Sequence, residues 1–117
     1  MSNIYVRNQT SKVDIGQGIS FQMIGKGQNF NAIYWNLPDR SIIPEHSHPQ
    51  EQFGYVVQGD LELNINGQTL TVTKGNSYVI PSGEVHSFKA IGLTEVIDIF
   101  SPPRDLSTAG GRRTPSV

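Results

Sequence analysis

The chain contains no cysteine. That removes disulfides, zinc ribbons, iron–sulfur clusters and thiol nucleophiles together, and it is consistent with a reducing compartment. An excess of one charge is also missing. Nine Lys and Arg stand against ten Asp and Glu, a formal net charge of −1. Proteins that neutralise phosphates along a nucleic acid carry a basic excess, so no nucleic-acid partner is expected. Arg112-Arg113 is too short a basic run to change that. No apolar run approaches the roughly 18 residues needed to span a bilayer. The N-terminal residues Met1–Tyr5 lack the charged and apolar regions of a secretion signal. Neither a membrane partner nor export is expected, which makes the cytoplasm the expected compartment. Strong helix formers are scarce as well, with six Leu and three Ala.

In their place are nine Val and twelve Ile, punctuated by twelve Gly and seven Pro. β-Branched side chains fit a pleated surface, and turns every few residues break the chain into short strands. The composition therefore points to an all-β sandwich or barrel. At 117 residues one domain with a real core is expected, over residues 1–106, followed by a polar, Gly-rich and mobile tail at 107–117.

Alternation places strands at Ile19–Ile24, Asn29–Leu37, Gln52–Gln58, Leu61–Ile65, Gln68–Thr73, Tyr78–Ile80, Glu84–Ala90 and Leu93–Phe100. An edge strand is expected at Ile4–Arg7. Turns are expected at Gly25-Lys26-Gly27, Gly59-Asp60, Asn66-Gly67, Lys74-Gly75-Asn76 and Pro81-Ser82-Gly83. Asn66-Gly67 is the strongest hairpin signal, because both central residues of a type I′ turn need positive φ.

Chemistry concentrates in the three histidines, His46, His48 and His86. A single His is ordinarily a satisfied or solvent-facing residue. Two at i and i+2 on a strand share a face, with Cβ atoms about 7 Å apart, a span one metal ion can bridge. Gln52 has the same parity, so His46, His48 and Gln52 should face together while Glu51 faces away. His86 would join from another strand. A second feature is the run Val96–Asp105. Asp98 lies between Ile97 and Ile99, where a carboxylate is costly to bury unless paired or ligated. Phe100 shares its parity, and Pro102-Pro103 stiffens the approach to Arg104. These residues read either as an edge-strand acid with a surface Arg, or as an acid/base group beside a carboxylate-binding guanidinium.

His46-Ser-His48-Pro-Gln-Glu-Gln52, followed by Gly59, resembles the first motif of the cupin superfamily. Gly75, then Pro81-Ser-Gly83-Glu-Val-His86, resembles the second. The resemblance implies a double-stranded β-helix (a jelly-roll barrel) holding one divalent metal ion. Three positions depart from the pattern. Arg40 stands at the usual Gly, Ala90 at the usual Asn, and Gln52 at the usual Glu ligand. The last change reads either as a degraded metal site or as a retuned one. Three imidazoles and an amide leave the ion's charge uncompensated, which favours an oxygen-rich or anionic ligand and non-redox chemistry. Such N/O sites take Zn, Ni, Mn, Fe or Co.

Together with Asp98-x-Phe100-(three residues)-Arg104, the pattern resembles the KdgF group of pectin-degradation cupins. That resemblance implies His46, His48, Gln52 and His86 as metal ligands and Asp98 as proton-transfer group. It implies Phe100 as a pocket wall and Arg104 as the clamp for a substrate carboxylate. The implied activity is ring opening and tautomerisation of a 4,5-unsaturated uronate to a linear keto sugar acid. Tyr34, Trp35, Phe53 and Tyr55 are either sugar-pocket walls or barrel core. Two other readings stay open: a metal-dependent dioxygenase or polyketide-cyclase-like cupin with a larger apolar cavity, and a non-catalytic cupin that binds a sugar or small acid. A homodimer is expected from the family's habit of pairing through sheet edges, since an edge at Ile4–Arg7 would need covering.

Overall fold

The alternation becomes eight strands in the computed structural model, which describes residues 3–106. They are β1 (Val13–Gly16), β2 (Ile19–Lys26), β3 (Asn31–Leu37), β4 (Ile42–His46), β5 (Glu51–Ile65), β6 (Gln68–Thr73), β7 (Ser77–Ile80) and β8 (His86–Ser101). The expected tail at 107–117 lies outside the described residues. Among the described residues, no helix is long and apolar enough to cross a membrane.

Two long strands organise the fold. The first half of β5 pairs with β7 and with the second half of β8, which in turn pairs with β3. The second half of β5 pairs with β6 and with the first half of β8, which pairs with β4. Each long strand thus belongs to two sheets, which it joins into one continuous eight-stranded network, the larger extended by β2 and β1. This is a jelly-roll arrangement, as the resemblance implied, and it falls within the all-β sandwich or barrel to which the composition pointed.

Sharing a strand between sheets requires a bend. In β5 the bend falls at Gly59, where φ is +76° and the register with β8 shifts. A β-bulge adds one residue to one strand and flips the alternation beyond it. Gln52, Gly54 and Val56 are buried before the bend, whereas Leu61 and Leu63 are buried after it. A side chain at 59 would run into the Leu93 carbonyl and stand 2.6 Å from Thr94 Oγ1. In β8 the bend falls near Gly92, also at φ +76°. The reversals expected at Gly59-Asp60 and between Ala90 and Leu93 are therefore bends within continuous strands.

The core lies between the sheets. Ile33, Trp35, Val56, Leu61, Leu63, Ile80 and Val96 are all at most 3% exposed. Each such side chain contributes about 1.5–3 kcal/mol by leaving water. Asn66-Gly67 forms the expected hairpin, with φ of +49° and +83° joining β5 to β6. Arg40 keeps positive φ (68°), so the turn conformation persists without the glycine. Its amide N–H donates to the Ala90 carbonyl at 3.0 Å, which brings two of the three departures from the cupin pattern into contact.

The N-terminal expectation fails. Residues 4–6 are exposed and irregular and lead into a 3-10 turn at Arg7–Gln9. The turn is held against β2, where Gln22 Nε2 donates to the carbonyls of Arg7 and Thr10 at 2.7 and 3.0 Å. Those side-chain bonds favour a local turn over a ladder. The edge beside β2 is instead β1, which is too short and too exposed to show a clear alternation.

Candidate active site

Strand ends from both sheets bring the chemistry together. His46 closes β4 and pairs in register with His86, the first residue of β8. Gln52 begins the other sheet, paired with Ile80 on one side and Phe100 on the other. His48 lies in the short connection between β4 and β5, not on a strand as its spacing from His46 implied. It nevertheless reaches the same point. The His46 and His86 rings are 4.3 Å apart, and His48 lies 5.6 and 4.9 Å from them. One ring nitrogen of each can be chosen so that all three lie within 4.8 Å of one another. Gln52 is 2% exposed, and Glu51 points to solvent, as parity required.

The backbone sets which nitrogen faces inward. His46 Nδ1 lies 2.7 Å from the Pro44 carbonyl, His48 Nδ1 lies 3.1 Å from that of Gln50, and His86 Nδ1 lies 2.8 Å from that of Glu84. A carbonyl oxygen only accepts, so each Nδ1 carries the proton and each Nε2 presents a lone pair. Burial keeps the rings neutral, lowering His46 and His48 from 6.5 to about 4 and His86 in the same direction. The nearby Arg104 guanidinium acts in the same sense on all three. Neutral imidazoles with outer nitrogens tied to carbonyls are the form in which His binds metals.

Two further observations fit a cation. His86 Nε2 is buried without a hydrogen-bond partner. His48 Nε2 and Gln52 Oε1 lie 3.1 Å apart. With Nδ1 protonated, both are acceptors, an unfavourable pairing that a shared cation resolves. Three buried His can therefore hold a metal ion.

Asp98 is the adjoining acid, 4% exposed. Burial pushes its pKa from 3.8 to about 6. Tyr78 donates its hydroxyl to Oδ1 at 2.7 Å, and Gln52, Arg104 and Trp35 pull the value down less strongly. The Trp35 indole N–H faces this carboxylate without reaching the geometry of a full hydrogen bond. Arg104 is 8% exposed, and burial lowers it to about 10 against the opposing field of Asp98. The segment after β8, entered through a cis Ser101–Pro102 bond, is clamped on β3. There Asn31 Nδ2 donates to the Arg104 carbonyl at 2.8 Å, and the Arg104 N–H donates to Asn31 Oδ1 at 2.9 Å. Phe100 packs its ring edge-on to His48 at 5.5 Å, with the Arg104 guanidinium 5.3 Å from its centroid.

A cavity of about 10 Å³ is lined by Trp35, His46, Gln52, Asp98, Phe100 and Arg104 among others. Arg104 also lines a cleft of about 640 Å³ walled by Phe21, Met23, Asn31, Ile33 and Leu106, with Lys26 at its edge. Of the four aromatics weighed as sugar walls, Trp35 faces the site. Phe53 and Tyr55 are 41% and 40% exposed on the opposite face of β5 from Gln52. Tyr34 lies on the outer face of β3 beneath Arg7, whose guanidinium sits 3.7 Å from its ring centroid. The sequence reading missed Tyr78, Asn31 and Gly54. Only Gly54 carried a usable signal, since a lone Gly inside a strand marks close approach.

A family model described as "Cupin domain" matches residues 33–100. The chain is 26% identical over 106 residues to the pectin degradation protein KdgF of Dickeya dadantii, covering 89% of this chain and 96% of that protein. The solved structure of KdgF from Halomonas sp. superposes with a TM-score of 0.84 at 26% identity, covering 90% of this chain and 97% of that one. The chain is also 30% identical over 104 residues to the HTH-type transcriptional regulator PuuR of Escherichia coli, covering 83% of this chain. The chain spans 56% of that regulator's length.

Proposed function

The chain belongs to the cupin family, and from that premise we propose that it is a metal-dependent isomerase acting on a 4,5-unsaturated uronate. The observation that carries the reading is Asp98, a buried carboxylate lining one cavity with Gln52, Phe100 and Arg104 beside the three imidazoles. His46, His48, His86 and Gln52 would hold one divalent ion from the set Zn, Ni, Mn, Fe or Co. When bound, the ion supplies a Lewis-acid centre for substrate oxygens.

The chain's own groups account for the rest. Arg104 pairs with the uronate carboxylate, its backbone held by Asn31. Asp98 takes the proton of the anomeric hydroxyl as the bond from that carbon to the ring oxygen breaks, and returns it to the former ring oxygen, leaving an aldehyde and an enol. A proton then moves from the enol hydroxyl to the neighbouring carbon, leaving a ketone. The net change is an isomerisation and needs no co-reactant. A carboxyl group titrating near neutrality can both accept and return a proton. Phe100 and Trp35 wall the small cavity, and Arg104 is the one residue that it shares with the larger cleft. The likeness to KdgF along nearly the whole chain supports this substrate class. We also propose a cytoplasmic location and a homodimer.

The test follows the loss of the unsaturated uronate's absorbance, with and without chelator, in the parent and in Asp98→Asn. Turnover that needs both metal and Asp98 supports the reading. The likeness to a transcriptional regulator favours a second reading, in which the same site binds a small acid without turning it over. Metal-dependent binding of the uronate with no turnover in the parent decides for that alternative.

A further inference from the structure

Tyr78 is the strongest donor to Asp98, yet the two do not lie on neighbouring strands. Tyr78 is on β7 and Asp98 on β8, with β5 running between them. Gly54 of β5 is the register partner of both. The phenol must therefore cross a strand to make its 2.7 Å bond to Oδ1, and it crosses where that strand has no side chain. A Cβ at position 54 would fall inside the Tyr78 ring, against Cζ, Cε1 and the hydroxyl oxygen. Gly54 does not have positive φ. What the position requires is space, not backbone freedom.

We infer that Tyr78, admitted across β5 by Gly54, is a positioning residue that holds the Asp98 carboxylate by Oδ1 in the orientation used for proton transfer. The inference rests on the reading of Asp98 as the proton-transfer group. Two features separate this contact from ordinary core packing. The Tyr78 ring already fills its place through apolar contacts, with Phe88 at 5.8 Å, so the hydroxyl is not needed to fill space. Its bond ends on the one acid that lines the small cavity. A carboxylate fixed at one oxygen loses rotation about its last torsion, and such fixation is what a proton-transfer step requires of its base.

The experiment compares the parent, Tyr78→Phe, Gly54→Ala and Asp98→Asn as metal-loaded proteins. It measures kcat and KM on the unsaturated uronate and bound metal per chain. Tyr78→Phe keeps the ring and removes only the donor. It is expected to lower kcat about 10- to 100-fold, with KM within about twofold of the parent and metal content unchanged. Gly54→Ala should lower kcat similarly by displacing the ring. A purely structural role would instead move metal content and KM. Parental kcat in Tyr78→Phe, with Asp98→Asn inactive, overturns the inference alone. Full turnover in Asp98→Asn overturns the inference together with the reading beneath it. Should Tyr78→Phe fail to fold by circular dichroism, Gly54→Ala decides, and parental kcat in that folded variant overturns the inference.

Discussion

Replacing Asp98 by Asn is expected to stabilise the metal-free protein increasingly as pH rises, while abolishing turnover. The carboxyl is buried, and its pKa is pushed from 3.8 to about 6, chiefly by desolvation. A folded value above the unfolded one means that the group's contribution to stability is complete below about pH 4 and is lost as pH rises through 6. The full span corresponds to about 3 kcal/mol. Asn cannot ionise and avoids that loss. Packing differences between the amide and the neutral acid add a constant, because Arg104, at about 10, stays charged throughout the window. The slope is therefore the signature. Between pH 5 and 8 the stability difference should move in favour of the variant by about 1.5 kcal/mol. For a chain of this size that is a growth of about 5 °C in the difference between thermal midpoints. The assay is thermal unfolding of both proteins with chelator, in matched buffers across that range. A difference that stays flat or shrinks toward high pH would refute the claim that Asp98 is held ionised against its burial.

Other changes have equally definite outcomes. His86→Ala should leave no stoichiometric metal by inductively coupled plasma mass spectrometry, because it removes a ring whose Nε2 is buried without another partner. His46 and His48 are held near 4 by burial and His86 is lowered from 6.5, so in Asp98→Asn, where no carboxyl titrates in the pocket, zinc affinity by isothermal titration should fall far less between pH 7.5 and 5.5 than three unperturbed imidazoles would require. These folded values lie below the unfolded one, so the metal-free fold keeps their full contribution above about pH 6.5 and loses it as pH falls toward 4. Gly59→Ala should cost at least about 2 kcal/mol in urea unfolding, because the position combines positive φ with a collision at Leu93. Asn31→Ala should raise KM about tenfold without changing metal content, since both bonds that seat the Arg104 backbone are lost.

What the sequence disclosed was mostly periodic. Strand alternation and turn residues located the strands β2, β3 and β6–β8, and two spaced motifs located the imidazoles. Parity placed Gln52 inside and Glu51 outside, although the chain between His46 and Glu51 is a connection and not a strand. The same periodicity was blind where local chemistry does not decide. Gly59-Asp60 has the composition of a reversal, and only pairing with both halves of β8 makes it a bend. Tyr78 read as an ordinary strand aromatic because its partner is 20 residues away and two strands over. Asn31 acts on a backbone 73 residues distant, and no local pattern announces that. Ile4–Arg7 had strand-like residues, but Gln22 holds the carbonyls of Arg7 and Thr10 in a local turn instead.

The placement of an amide beside Asp98 follows from charge. Arg104 and a bound divalent ion would make this pocket strongly positive, and Asp98 is the one acid among its lining residues. A carboxylate at position 52 would set a second negative charge against Asp98, raise its pKa further and compete with an anionic substrate for the ion. The amide does neither. Its oxygen faces His48 Nε2 at 3.1 Å, and its side chain lowers the pKa of Asp98 instead of raising it. A carboxylate is nonetheless one residue away, at Glu51. A single-residue slip of β5 would exchange the two. The register forbids it, because Gln52 is paired with Ile80 and Phe100 at once and both partners are buried in the core. Slipping β5 would turn Val56 out of that core and Phe53 into it. The packing that holds the sheet together thus also selects a neutral fourth donor.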